Sequence, residues 1–590
     1  MLNFSSAFVT KKRSVCEIMN ETMVKTGKAS IDRPWMQYYP EFAQHLEPVD
    51  CSVMQYLRDH CPGEDAVALH YYGSDILWND LYARVDEAAK ALKAAGFGVN
   101  DQIPVMLASV PEFIVLLLAA EKIGACVLCR DNTLEENVEA VVKSGAKTIF
   151  VHDFFAQFEW EAYKAAGVER AVLISPYCSA DRAQIPEHIE KAIRSKYPEE
   201  QASGEGVVSW EDFLKAGEGY EGEVEAAVDS SRELLRAYTS GSTGTSKQVI
   251  HSAKTMLGCI HQLGIYGTGD FRPTWLHTIL PPALVAATVS MLLLPLASNK
   301  LLILSPFVEV EDLDLEMMRY RPNCWPLIPM FLEVLMRSER IPADYDMSHL
   351  FAVGVGCEAF NNGQVIRADK FLHDHNCRGN CTVGFGQSEA GSSCMFPCPA
   401  YPVENGNIGI PLPMNTMAVF KPGTDEELGY NEIGEVCVTG PALMMGYDNE
   451  EATGRCLIKH SDGRVWLHCD DSGYVNPDGV FYLLGRGYPT RVGGGYLSEV
   501  VMENRVVDAK IEGIKDVFFV NIPDRDNEGH FVPYAYVVLE EGYELETIRE
   551  AIVAALEEYQ RPVEIFQLPE RPFFHFKTNR VGLSRELMAR

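Results

Sequence analysis

Ten consecutive residues, YTSGSTGTSK at 238–247, combine two glycines with a run of serine and threonine and close on a lysine. Gly241 and Gly244 let the backbone come close to a ligand, and successive N–H groups there form a concave anion nest. The hydroxyls of Thr239, Ser240, Ser242 and Thr243 add donors, and Lys247 adds a point charge. Together these suit a polyphosphate. A flexible Ser/Gly linker is the plainer reading. It fits poorly, because LLRAY and QVIHS flank the loop and a linker has no use for a terminal lysine. A Walker loop is excluded, since G-x-x-x-x-G-K-[ST] needs glycine where Ser246 stands. Two cysteine groups also carry potential chemistry. CVLC at 126–129 has redox or metal spacing, yet it lies in an apolar run that reads as a buried strand. HDHNCRGNC at 373–381, with Cys394 and Cys398, offers zinc-ligand types, and zinc stands as the lesser alternative there.

Helix-period and strand-like segments alternate around these residues. WNDLYARVDEAAKALKAAGFG places Leu81, Val85, Ala88, Ala89 and Leu92 at helical spacing, with Gly96 as the stop. The strand QIPVMLASV, the helix PEFIVLLLAAEKIG and the strand ACVLC follow, and VEAVVKSGAKTIFVHD repeats the order. This predicts an α/β protein: a large N-terminal domain of layered α/β sheets, 34–486, and a small mobile α+β C-terminal domain, 487–590. The first segment, 1–33, is polar, unpatterned and expected to be loosely ordered.

Composition limits the classes. A chain of 590 residues exceeds one core. A net charge of −32 argues against a nucleic-acid partner, which needs a basic footprint. FIVLLLAAEKIGACVLC, the longest apolar run, is interrupted by Glu121 and Lys122, so no membrane span is expected. The N-terminus lacks a secretory apolar core, and the 16 cysteines read as reduced thiols, so a cytoplasmic protein is expected.

YTSGSTGTSK closely resembles the phosphate loop of the adenylate-forming superfamily, which holds acyl-CoA synthetases, peptide-synthetase adenylation domains and firefly-type luciferases. GFGQSEAG at 384–391 resembles that family's Tyr-Gly-x-Thr-Glu motif, with Phe385 for tyrosine and Ser388 for threonine. GCEAF precedes it, GEVCVTGPALMMGY follows, and WLHCDDSGYVNPDGVFYLLGR matches the Thr-Gly-Asp to Gly-Arg segment. The resemblance implies that Gly356, Cys357 and Glu358 lie against adenine. It places Gly384, Phe385 and Gly386 at the base, Ser388 at the α-phosphate and Glu389 on Mg²⁺. Asp471, or Asp470 one residue earlier, would grip the ribose hydroxyls, and Arg486 would contact phosphate or ribose.

The departures lie near the C-terminus. Gly487, Tyr488 and Pro489 occupy the hinge, and FHFKTNRVGLSREL lacks the family's Gly-Lys, leaving Arg580 or Lys577 as the cation. RVGGGYLSEVVMEN resembles the loop lining a pantetheine tunnel, and ILPPALVAATVSMLLLPLA reads either as an acyl-tunnel wall or as a plain core helix. The resemblance implies an ATP-, Mg²⁺- and coenzyme A-dependent acid–thiol ligase acting on a small-molecule carboxylic acid, with a fatty, aryl or steroid-like acid expected over an amino acid. The alternatives are a ligase that loads the phosphopantetheine of an acyl carrier protein, and a nucleotide-binding protein with impaired ligation.

Overall fold

The computed structural model describes residues 25–130, 133–154, 159–197, 202–239, 247–265, 271–574 and 577–590. Two large, mainly parallel sheets of eight and seven strands and a third, antiparallel sheet of seven carry most of the described chain. The mixed α/β architecture is the one expected.

The parallel sheets are buried on both faces, and their sequences show why. Cys126–Cys129 is a strand with every residue buried, lying parallel to Gln102–Met106 and Glu233–Tyr238. Its thiols fill space as small apolar groups, and burial pushes them far above the usual thiol range. Pro111–Ile123 is a helix apolar on nearly all sides and correspondingly buried. Proline opens it and Gly124, at φ 78°, ends it in the left-handed cap. Its polar interruption is absorbed: the Glu121 carboxylate accepts the first N–H groups of the helix Val53–His60, from Val53 and Met54. The helix Trp78–Ala94 stops at Gly96, φ 95°, where the sequence placed its end.

Leu497, Val506, Val517, Ala535 and Ile552 form a hydrophobic cluster of their own. It lies between the helices Glu499–Asp508 and Leu545–Ala554 and a three-stranded sheet led by Ile514–Pro523 and Phe531–Leu539. This unit is bonded to the body of the molecule: Asn362 donates its backbone N–H to Asn504 Oδ1 (2.8 Å), and Asn361 Nδ2 donates to Glu503 Oε2 (3.0 Å).

Residues 25–33 differ from the expectation of a loose segment. Ala29–Asp32 is a helical turn with Ala29 and Ser30 buried. Ser30 is held by the Glu427 carboxylate, and Asp32 accepts from Tyr430 (2.8 Å). Tertiary hydrogen bonds order a stretch that has no local pattern. Among the described residues, no helix is long and apolar enough to cross a membrane.

Candidate functional site

The site forms where parallel strands run out at their C-terminal ends, the usual ligand crevice of α/β sheets. Ala352–Val355 leads into 356–358, and its neighbour Cys381–Val383 leads into 384–390. Glu233–Tyr238 and Gln248–Ser252 bring in the Ser/Thr loop as an antiparallel hairpin. A cavity of about 3500 Å³ joins these ends to the antiparallel sheet and to the C-terminal unit. It greatly exceeds an ordinary single-ligand pocket, so it has room for more than one ligand.

At the base of the hairpin, Thr239 N–H donates to the Lys247 carbonyl (2.9 Å), and Lys247 N–H donates to Thr239 Oγ1 (3.1 Å). Both residues line the cavity. Ser240, Gly241, Ser242, Thr243 and Gly244 lie outside the described residues. Lys247 Nζ stands 5.0 Å from the Tyr447 ring centroid, and the Tyr447 hydroxyl donates to Glu389 Oε1 (2.6 Å).

Each residue of the Gln387–Glu389 turn is anchored from a different part of the chain. Gln387 Nε2 donates to Asp471 Oδ2 (2.7 Å) and to the Cys469 carbonyl. The Ser388 carbonyl accepts from His251 Nε2 (2.8 Å), and burial lowers that imidazole to about 4, so it is neutral. Glu389 is held by Tyr447. A Cβ on Gly386 would lie 1.7 Å from the Ser392 carbonyl oxygen, so the backbone approach there admits glycine alone. Phe385 is 8% exposed, built into the core beside the antiparallel sheet and touching the cavity at its edge.

Asp471 and Arg486 are paired positions on adjacent antiparallel strands. Arg486 Nε lies 3.2 Å from Asp471 Oδ1, and its Nη1 donates to the Cys469 carbonyl. Burial pushes the Asp471 carboxyl up to about 6, against the pull of Arg486 and Gln387. Asp470 has φ 56° and an exposed side chain. Of the two aspartates the sequence left open, Asp471 is the one fixed beside Gln387 and Arg486.

Glu358 does two things at once. The backbone of Gly356, Cys357 and Glu358 does line the cavity, but the Glu358 carboxylate is engaged by the C-terminal unit. It accepts from Thr578 N–H and from Arg580 Nη1, both at 3.0 Å. Arg580 Nη2 meets Glu503 Oε1 at 2.8 Å, and its Nε donates to the Phe519 carbonyl. The guanidinium is thus committed to two carboxylates. Lys577 lines the same cavity with no ion pair among the described residues, and its charge opposes the burial that pushes the Cys357 thiol up.

Gly494 and Gly495 pack on the Tyr559 ring, where a Cβ on Gly494 would come 2.1 Å from Tyr559 Cβ. From that segment the cavity takes Glu499 and Val500 instead of the glycines. The zinc alternative does not assemble: Cys377 is bonded to the Leu350 carbonyl and His373 to Asn380. Among the described residues, the ligating atoms that converge are those of Glu435, Cys437 and His468, within 4.8 Å. A hydrogen-bond chain from Glu435 through His468 to His460, each step 2.9 Å, accounts for that closeness.

Reading the sequence missed Gln387, Tyr447, His251 and Glu503. Gln387 and Tyr447 stood inside quoted motifs, where their types as donors were the available signal. His251 in QVIHS and Glu503 in RVGGGYLSEVVMEN were also inside quoted stretches, but nothing local pointed to their distant partners.

Comparison with known proteins finds related sequences and a shared fold. The chain is 25% identical over 506 residues to a probable CoA ligase, CCL5, from Humulus lupulus, covering 83% of this chain and 84% of that protein. Its fold matches the anthranilate CoA ligase AuaEII in complex with anthranoyl-AMP, with a TM-score of 0.75 at 17% identity, covering 92% and 99% of the two chains. It also matches ATP-bound MatB from Rhodopseudomonas palustris, with a TM-score of 0.74 at 18% identity, covering 91% and 99%. The family model described as AMP-binding enzyme matches residues 59–448, most of the chain, and the protein therefore belongs to the AMP-binding enzyme family.

Proposed function

We propose that the protein is an AMP-forming acid–CoA ligase. ATP and a carboxylate give an acyl-adenylate and pyrophosphate, and the thiol of coenzyme A then displaces AMP. A carboxylate is a poor electrophile, and the adenylate supplies the leaving group. The observation that carries this reading is one cavity in which Asp471, which is buried, and Glu389, Thr239 and Lys247, which are not, face a shared space that continues into apolar lining.

Asp471, acceptor-only when ionised, takes both ribose hydroxyls, and Arg486 orients it. Thr239, Lys247 and the intervening residues 240–244 hold phosphate oxygens, with Ser388 at the α-phosphate. The donor set at Glu389 suits a hard cation: a carboxylate whose Oε1 is fixed by Tyr447, beside hydroxyls and the expected phosphates. Mg²⁺ bound there supplies neutralisation of the phosphate charge. Lys577 faces the cavity as the cation for charge developing as acyl and nucleotide join, while Arg580 ties the C-terminal unit down through Glu358 and Glu503. We place the domain boundary between 486 and 487.

Coenzyme A is preferred to a carrier protein as the acceptor because relatives across the matched length are named CoA ligases. A binding protein without ligation ranks lower, because Lys577 supplies a cation where the family's lysine is missing. The free thiols of the described cysteines support a cytoplasmic setting. Carboxylate-dependent exchange of labelled pyrophosphate into ATP, over a panel of acids, is the test. Exchange with at least one acid is expected; none from folded protein that binds ATP would favour the binding-protein reading.

A further inference from the structure

The cavity does not end at the nucleotide. It runs along one face of the seven-stranded parallel sheet, and the register identifies that face. Paired residues in a parallel sheet point the same way: Trp275 with Cys324, Cys324 with Ala352, Pro326 with Gly354, and Gly354 with Thr382. Alternation along each strand extends the face to Gly356 and Gly384.

Bulk is missing from this lane. A Cβ on Gly354 would meet its nearest atom, Thr382 Oγ1, at 4.0 Å, and one on Gly384 would meet nothing within 4 Å. The four-residue step from Gly356 back to Ala352 spans about 13 Å at roughly 3.3 Å per residue. Ser290, Met291 and Leu294 also line the cavity. They come from the π-helical segment Ala287–Leu293 and the helix that follows it, Leu294–Ala297. The run read from sequence as either tunnel wall or core helix is thus a helix with cavity-lining residues.

The far end is polar. Leu302 pairs with Trp275, so Lys300, two residues before Leu302, belongs to the same face. Lys300 lines the cavity with Nζ 2.6 Å from Ser298 Oγ and 5.8 Å from the Trp275 ring centroid. Among the described residues no carboxylate pairs with it, and burial lowers its pKa. The Trp275 indole nitrogen beside it is a buried donor without an acceptor among the described residues. Lys300 gives one N–H to Ser298 and keeps further donors, so with the unpaired indole N–H of Trp275 it offers an acceptor-seeking pair at this tunnel end.

We infer that the acid taken by this enzyme is an extended, largely apolar molecule with a second carboxylate at the end remote from the reacting one, received by Lys300 and Trp275. The inference rests on the acid–CoA ligase reading above. Charge-assisted bonds of this kind reject an analogue that leaves the lysine unpaired. The bland reading is that Lys300 lays its stem on Trp275 and closes a strand start, which would make it indifferent to the substrate.

Pyrophosphate release with dodecanedioic, dodecanoic and benzoic acids, in the parent and in Lys300→Met, separates these readings. The parent should favour the diacid, and Lys300→Met should cut kcat/KM for the diacid about thirtyfold or more while the monoacid moves within about threefold. A parent that prefers benzoic acid, or a variant slowed alike on diacid and monoacid, overturns the inference and leaves the ligase reading intact. If the parent turns over none of the three, calorimetric titration with dodecanedioic acid in the presence of AMP reads the tunnel directly. Binding weakened by Lys300→Met supports the inference, and absent or unchanged binding overturns it.

Discussion

Arg580 and Glu358 meet at 3.0 Å across 222 positions of sequence, and the same guanidinium reaches Glu503 at 2.8 Å. One arginine therefore joins the turn after Ala352–Val355 to the helix Glu499–Asp508, with both carboxylates nearly buried. A buried charge set of this kind punishes removal of one partner, because the others are left unpaired. Arg580→Ala should therefore cost about 3 kcal/mol of stability. A lowered midpoint in thermal unfolding checks this, and an unchanged midpoint would mean the contact is not formed in solution.

Lys577 is the complementary case. As a cavity-lining cation with no ion pair among the described residues, it can follow developing charge. Lys577→Ala should slow adenylation about a hundredfold, while transfer from preformed acyl-adenylate to coenzyme A changes little. Equal slowing of both half-reactions would assign Lys577 to binding instead.

Asp471 makes nucleotide binding pH-dependent. Its carboxyl is raised from 3.8 to about 6, chiefly by burial. Below about pH 6 it is protonated in the folded chain and loses acceptor capacity, so ATP affinity should rise between about pH 5 and pH 7. The stability sign is the reverse: the unfolded chain ionises first, so this group lowers stability as pH rises from about 4 through 6. Asp471→Asn should flatten both profiles. Titration of ATP affinity and of the unfolding midpoint against pH reads them.

Tyr447→Phe removes the hydroxyl that fixes Glu389 at 2.6 Å. A hydrogen bond to a charged group contributes about 1.5–3 kcal/mol, so kcat/KM should fall by about tenfold or more. The Mg²⁺ concentration needed for half-maximal rate should rise with it. A rate loss without that rise would separate the Tyr447 hydroxyl from cation binding, since phenylalanine keeps the ring that faces Lys247.

Gly386→Ala should abolish the native turn, since its Cβ would sit 1.7 Å from the Ser392 carbonyl oxygen. A Cβ this close to a backbone oxygen cannot be relieved by moving a side chain, so the cost should exceed about 4 kcal/mol. Loss of soluble protein, or a collapsed unfolding midpoint, is the expected result. Gly384→Ala, with nothing within 4 Å of its Cβ, should fold normally.

The sequence by itself determined the pieces whose information is local. The strands flanking the Ser/Thr loop, the buried Cys126–Cys129 strand and the stop at Gly96 were legible because neighbouring residues fix them. Glycine, hydroxyl and carboxylate types at close spacing state their chemistry directly. What tertiary structure alone decided are relationships between distant positions. Asp471 and not Asp470 takes the bond from Gln387 and pairs with Arg486, although both aspartates line the cavity. His251 steadies Ser388, Ser30 is ordered by Glu427, and Glu358 serves Arg580 with its side chain while its backbone lines the cavity. Each of these is a buried charge or hydrogen bond between elements far apart in the chain. Such bonds form only once packing has removed water from both partners, so no local pattern announces them.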